Sequence, residues 1–327
     1  MDFRVHADQE ALQQGIRSFC EGRIAIDQLR ELEEKDAFDR GLWNQLAEMG
    51  IFQLRLPETA GGLGLGCADA VLVFEELGRS LAPGPLVWSH LAAPWVDGAG
   101  TGEVVVGGLD LIGAAPQPIL IEHWAHLDVL LLLRPEGVFR VDPKALEARP
   151  IATPLDPLTP VHHVESLPPG ERLAEAAVAH RLWLEGAALV SGQLLGIAEA
   201  ALELALDYAK KREQFGRAIG SFQAIQHLCA DMFVRQEVAR AGAYAAGATL
   251  DHPEVGDLER AVGSGKITAG DAAMKNARAC IQIHGGMGYT WEVPAHYFLK
   301  RTWVLESIFG TGDEHATRIA ERVESGT

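Results

Sequence analysis

The chain predicts a mainly α-helical protein with a small β region in its middle, and three observations carry that prediction. Apolar residues recur at three- and four-residue spacing through the first third and again through the last half. Between about residues 97 and 172 this period gives way to short β-branched or leucine-rich runs punctuated by Pro and Gly. With 327 residues, 48% of them apolar and 22% charged, the chain can bury a core and is too apolar to be disordered. We therefore expect an N-terminal helical domain over 1–96, a reduced middle β domain over 97–172 and a C-terminal four-helix bundle over 173–327.

The elements follow in order. "ALQQGIRSFCEG" and "GLWNQLAEMGI" have helical spacing, and "LPETAGGLGLG" is a Pro/Gly loop. "CADAVLVFEELGRSL" is an apolar helix closed by "APGP". "GEVVVGGLDLIG", "PILIEHWAHLDVLLLLR" and "GVFRVDP" read as strands, while "PIATPLDPLTPVHH" and "SLPPGERL" read as proline-rich connections. From Arg181 to Lys211 one face repeats through Ala187, Val190, Leu194, Ile197, Ala201, Leu204 and Tyr208, and further leucines make other faces apolar, as in a helix inside a bundle. Ser221 is the expected N-cap of the next helix, which carries Ile225, Leu228 and Met232. A third helix spans Leu258 to Ile283 and stops at "HGGMG", and a fourth covers Ala295 to Ile308. Short connections between long helices imply an antiparallel bundle.

Composition narrows function by exclusion. Lys and Arg number 28 against 45 Asp and Glu, a net charge of -17 that repels phosphate backbones and anionic lipid, so neither nucleic acid nor a membrane is an expected partner. The scattered Cys20, Cys67, Cys229 and Cys280 form no framework and read as reduced core residues of a cytoplasmic protein. The charged, amphipathic start has no signal-peptide pattern, and "VLLLLR" is too short to span a bilayer. "GGLGLG" (Gly61 to Gly66) lacks the preceding strand and following acid of a dinucleotide loop. His123, His126, His162 and His163 have no paired acids or thiols nearby and read as ordinary histidines rather than metal ligands. No GxSxG or HExxH occurs. In "LESIFGTGDEH", Asp313 and Glu314 follow a Gly-Thr-Gly turn where a helix would begin, and acids suit a first turn.

Two stretches are informative together: "YAKKREQFGRAIGSFQAIQHLCADM" from Tyr208, and "QIHGGMGYTWEVPAHYFLKR" from Gln282, followed within ten residues by "FGTG". In this order and spacing they resemble the acyl-CoA dehydrogenase family, over most of the chain. The resemblance implies an enzyme using FAD to introduce an α,β double bond into an acyl-CoA thioester. It also implies paired bundles with the cofactor across their junction. By that resemblance the ADP side of FAD falls to Arg212, Gln214, Phe215 and Gly216, and to Gln282, Gly285 and Gly286, with Gly310 and Thr311 also at the cofactor. The chemistry of these residue types agrees: arginine forks onto pyrophosphate, and glycine lets backbone approach a nucleotide.

The family's reaction needs a carboxylate base, and here the pattern departs. The position before Gly310-Thr311 holds Phe309, which accepts no proton. Counting 26 residues back from Arg212 to the family's alternative base position gives Gly186; Glu185 is adjacent, but one residue turns a helix by about 100°. The middle region also lacks the family's Thr-Glu-Pro...Gly-Ser-Asp pattern. This combination resembles one subunit of the heteromeric α2β2 acyl-CoA dehydrogenases of actinobacterial steroid catabolism, implying a heterotetramer with a second acyl-CoA dehydrogenase subunit that carries the base. Two other readings stay open: a self-sufficient homomer using Glu185 or Glu306, and a non-catalytic scaffold without flavin.

Overall fold

The structure is a computed structural model describing residues 5–113 and 118–325; the opening "MDFR" of the amphipathic start and the last two residues of the bundle domain lie outside them. Five helices come first: α1 (Ala7–Arg23), α2 (Ile26–Glu33), α3 (Arg40–Glu48), α4 (Cys67–Arg79) and α5 (Leu86–Ala92). α4 is the apolar helix read from the sequence and is buried almost throughout. Two of its acids are buried with arginine partners. Glu76 takes a bidentate pair from Arg17 of α1, at 2.8 Å for each bond.

Seven strands follow: β1 (Val106–Asp110), β2 (Ile119–Glu122), β3 (Val129–Arg134), β4 (Gly137–Val141), β5 (Ala148–Pro150), β6 (Val161–Val164) and β7 (Glu171–Glu175). They form two small sheets, ordered β1-β3-β4-β7 and β2-β6-β5; β1 lies parallel to β3, and every other pairing is antiparallel. The leucine run of β3 is continuous because both of its edges are paired and both faces are covered. The proline-rich connections contain more strand than expected. β5 and β6 lie around "PIATPLDPLTPVHH", and the polar β7 lies in "GERLAE". β5 and β7 sit at sheet edges and β6 draws its order from pairing on both sides, so none has the apolar alternation that marks a strand.

The last half is the bundle: α6 (Ala176–Lys211), a two-strand hairpin of β8 (Glu213–Gln214) and β9 (Arg217–Ala218), then α7 (Gln223–Asp251), α8 (Leu258–His284) and α9 (Ala295–Ser307). A further helix, α10 (Gly312–Ser325), follows the Gly-Thr-Gly turn and carries Asp313 and Glu314 in its first turn. α6 packs against α4, α7 and α8, which is why its sequence is apolar on several faces. Bare glycine permits that closeness: a Cβ on Gly196 would stand 1.9 Å from the Glu75 carbonyl of α4. Buried Asn276 of α8 donates to Ala198 O on α6 at 3.2 Å and to Met232 O on α7 at 3.0 Å, fixing three helices in register. Ser221 is not the cap of α7. Its hydroxyl donates to Ala218 O at 2.7 Å, and Phe222 occupies the N-cap.

Candidate active site

At the C-terminal end of α6 the helix stops at Arg212, whose extended backbone leads into the hairpin. Glu213 pairs with Ala218 and Gln214 with Arg217, leaving Phe215 and Gly216 as a two-residue turn. Both are left-handed, at φ 54° and 77°, as a tight hairpin requires. Glycine adopts that region freely; phenylalanine does so against its preference. Phe215 is 91% exposed, and its ring stands edge-on to Phe222. The Arg212 side chain is exposed and has no acidic partner among the described residues. The Gln214 amide donates only to its neighbour's carbonyl.

α8 ends beside this hairpin. Gly285, at φ 60°, caps it, and a Cβ on Gly285 or Gly286 would meet nothing within 4 Å. Tyr208 of α6 stacks on His284 of α8 with ring centroids 4.2 Å apart, tying the two helix ends together. Arg212, Gln214, Phe215 and Gly216 therefore share one end of the bundle with Gln282, Gly285 and Gly286. A free guanidinium, two exposed amides and bare glycine backbone suit the diphosphate and adenosine of a nucleotide.

The other end of α6 is built differently. Phe309 is fully buried at φ 54°, followed by Gly310 at φ 84°, and its ring packs on Trp88 at 4.5 Å between centroids. A Cβ on Gly186 would stand 2.4 Å from that ring. The two positions where the family places its base are thus neighbours, and one phenyl ring fills the space that both would share. Lys266, His315, Thr311 and Glu314 at this corner all find partners within the chain. Buried Lys266 of α8 donates to Glu306 O and Ile308 O at 3.0 Å and to Gly310 O at 2.6 Å. Burial pushes this amine down to about 8, with Glu306, Glu314 and Asp110 opposing. His315 Nε2 donates to Phe309 O at 2.9 Å, and its ring stacks on Trp183. Thr311 and Glu314 form a reciprocal cap for α10: Thr311 N donates to the Glu314 carboxylate at 2.7 Å, and Glu314 N to the Thr311 hydroxyl at 3.2 Å.

Gly186 and Arg212 are 26 positions apart on one unbroken helix, about 39 Å at 1.5 Å per residue. An extended flavin nucleotide does not reach from the hairpin to the corner of the same chain. The sequence-predicted cofactor residues therefore fall into two groups, Gly310 and Thr311 at one end and the remaining seven at the other.

Neither alternative base is available in the required form. Glu185 is buried and accepts from Arg55 at 2.9 Å and from Arg181 at 2.6 Å. Desolvation pushes this carboxyl up, but the two guanidiniums outweigh it and hold it below the usual range, the reverse of what a base needs. Glu306 accepts from Gly312 N at 2.9 Å and stabilises the turn. Among the described residues no three His, Cys, Asp or Glu side chains form a metal-binding group, and all four cysteines are free and buried.

Between the sheets and the corner lies a cleft of about 570 Å³, with β1 and β2 on one wall and α9 on the other. Sequence reasoning passed over one of its residues, Glu122. The available signal was an acid ending the strand "ILIE", on the face it shares with Leu120.

Helical domains flank two small sheets, and one end of the bundle keeps an open arginine and glycine surface; this is the architecture of an acyl-CoA dehydrogenase-like fold. The chain belongs to the acyl-CoA dehydrogenase family: residues 6–104 match its N-terminal domain and 177–324 its C-terminal domain. Acyl-CoA dehydrogenase IpdE2 of Mycobacterium tuberculosis is 33% identical over 81% of this chain and 80% of its own. Acyl-CoA dehydrogenase FadE34 of the same organism is 30% identical over 98% of this chain, which spans about half (48%) of FadE34. The fold is shared with the ChsE4-ChsE5 complex of M. tuberculosis, at a TM-score of 0.84 and 23% identity over 99% of each chain. It is also shared with the Tcur3481-Tcur3483 steroid acyl-CoA dehydrogenase, at a TM-score of 0.83 and 23% identity over the same shares. FAD is the cofactor of this family, and the hairpin end fits its nucleotide half through the free Arg212 and the open glycine backbone.

Proposed function

We propose that this chain is one subunit of a heteromeric acyl-CoA dehydrogenase acting on a bulky, steroid-derived thioester, and that its partner subunit supplies the catalytic base. The observation that carries this reading is the contrast along α6, with Arg212 exposed and unpaired while Phe309 fills the space over Gly186. Arg212 and the Gln282–Gly286 turn hold the diphosphate and adenosine. When bound, FAD supplies the hydride acceptor. The carboxylate that takes the α-proton stands on the partner, because the two positions available here hold a phenyl ring and a glycine. The heteromeric architecture of the ChsE4-ChsE5 and Tcur3481-Tcur3483 relatives supports the assembly, and the word steroid in the latter's description supports the substrate class.

The test is co-purification with the neighbouring acyl-CoA dehydrogenase gene product, followed by flavin quantification per chain. The reading expects the chain alone to be flavin-poor and inactive, and the complex to be yellow and active. Robust dehydrogenation by the purified homomer would overturn it. A colourless, inactive complex would favour the scaffold reading instead.

A further inference from the structure

The first helix is seated by polar side chains as much as by core. Only Ile16 and Cys20 of α1 are fully buried, with Leu12 and Phe19 partly so. The rest of its grip falls on acids of α4: the Gln9 amide donates to Asp69 at 2.8 Å, the Gln13 amide to Glu75 at 3.2 Å, and Arg17 to Glu76. α4 is pinned from its other side. A Cβ on Gly192 of α6 would stand 2.6 Å from Val71 O, and one on Gly247 of α7 would stand 2.9 Å from the Ala68 backbone. Asp251 of α7 accepts from Cys67 N at 2.7 Å and from Ala68 N at 2.9 Å, at the start of α4. α4 is thus fixed to the bundle, and α1 is the element free to yield.

Between these helices lies a cluster of charges in unequal number. Glu75 and Glu76 of α4 are wholly buried, and Glu199 and Glu203 of α6 join them through shared arginines. Three guanidiniums answer these four carboxylates: Arg17 on Glu76, Arg79 on Glu203, and Arg240 of α7 on Glu75 at 2.7 Å. Glu199 lies 3.5 to 3.9 Å from all three, and its Oε2 is buried without a hydrogen-bond partner. Glu237 adds a further acid on Arg240 from the exposed rim, at 3.2 Å. One negative charge is left over, and a buried charge without a partner is costly. Glu75 also meets the Tyr244 hydroxyl, 2.7 Å from its Oε2. That contact survives protonation, because a hydroxyl donates to a carboxylate or accepts from a carboxylic acid.

We propose that the cluster holds one proton on Glu75 as a structural part and that its loss loosens α1, so that the seat of the first helix on the bundle responds to pH. The proton cancels the surplus charge and leaves the hydrogen bonds in place. Once it is gone, the charged group gains water only from the α1 side, since glycine contacts lock α4 to α6 and α7. Burial pushes Glu75 up to about 7, with Arg240 and Tyr244 opposing and Glu199 and Glu76 reinforcing. Burial and Glu75 push the Tyr244 phenol up as well, so it keeps its proton. The seated value exceeds the ordinary 4.5 that Glu75 regains when α1 lifts. Its contribution to seating is therefore complete below pH 4.5, shrinks as pH rises and is gone above 7. No flavin or partner enters, so the inference stands apart from the heteromer reading.

The test is hydrogen exchange of the α1 amides in the full chain, alone and in its complex, corrected for intrinsic rates, between pH 5 and 8. Protection of α1 should fall about ten-fold across this range and level off above pH 7, while α6 stays protected. Glu75→Gln keeps the shape without the charge and should hold α1 at its pH 5 protection throughout. Glu199→Gln removes the surplus charge and leaves Glu75 in place, so the fall should shrink and finish at lower pH. His6, the N-cap of α1, is common to all three proteins, so their differences report the cluster. A pH-independent α1 in the unaltered chain, a slope that survives in Glu75→Gln, or a Glu199→Gln profile identical to that of the unaltered chain would overturn the proposal. Should Glu75→Gln fail to fold, Glu199→Gln decides alone.

Discussion

The two ends of α6 are opposites. The hairpin end leaves an arginine and an aromatic in solvent and holds its turn in left-handed backbone with little packed against it. The corner end buries a phenyl ring, a lysine and a histidine and pairs the last two from within. A region that keeps unpaired charge and strain is one whose partner is external. One scaffold thus carries an open, unpaired surface at one end and a closely packed corner at the other.

The largest expected effect breaks the closely packed end. Phe309→Ala should cost roughly 3–5 kcal/mol, because the ring is fully buried against Trp88 and glycine cannot fill its place. Thermal or denaturant unfolding measures this; a loss below about 1 kcal/mol would show that the corner is not sealed. The companion variant Phe309→Glu should be comparably destabilised and gain no independent dehydrogenase activity, since its carboxylate would be trapped beside Trp88.

The next effect is pH-dependent. Burial lowers His315 from 6.5 to about 4, so between those values the unfolded chain binds the proton that the folded chain refuses. Stability from this group is complete above pH 6.5 and falls as pH drops toward 4, by about 3 kcal/mol. His315→Gln should flatten this part of the stability profile.

The open end should respond in the other quantity. Arg212→Ala should leave the melting temperature unchanged while weakening flavin retention by the complex, by roughly 1.5–3 kcal/mol, the range of a charge-assisted contact. Retained flavin in this variant would remove the hairpin from the cofactor site. The smallest effect is Gly286→Ala, where a methyl group meets no neighbour; stability should shift by less than about 0.5 kcal/mol, with any loss confined to flavin content.

Much of this was legible in the sequence. The α6 face from Ala187 to Tyr208, the strand runs and the Gly-Gly stop each follow from local spacing or backbone preference. The departures at Phe309 and Gly186 could be counted. That these two touch could not, because their contact joins residues more than a hundred positions apart across a folded core. Edge strands such as β7 escaped notice because pairing, rather than side-chain pattern, orders them. Lys266 gave no warning either: one lysine on a helix looks like a surface residue until three carbonyls converge on it. Glu122 was hidden by the same limit, since only the fold reveals that this strand-end acid faces a cleft.

The unbroken run of α6 has an evolutionary corollary. Adding or deleting one residue between Gly186 and Arg212 would rotate one end against the other by about 100° and slide it by about 1.5 Å. Point substitutions at either end leave that spacing intact. Side chains at one terminus can therefore be exchanged without moving the other, whereas any change in the helix's length would disturb both.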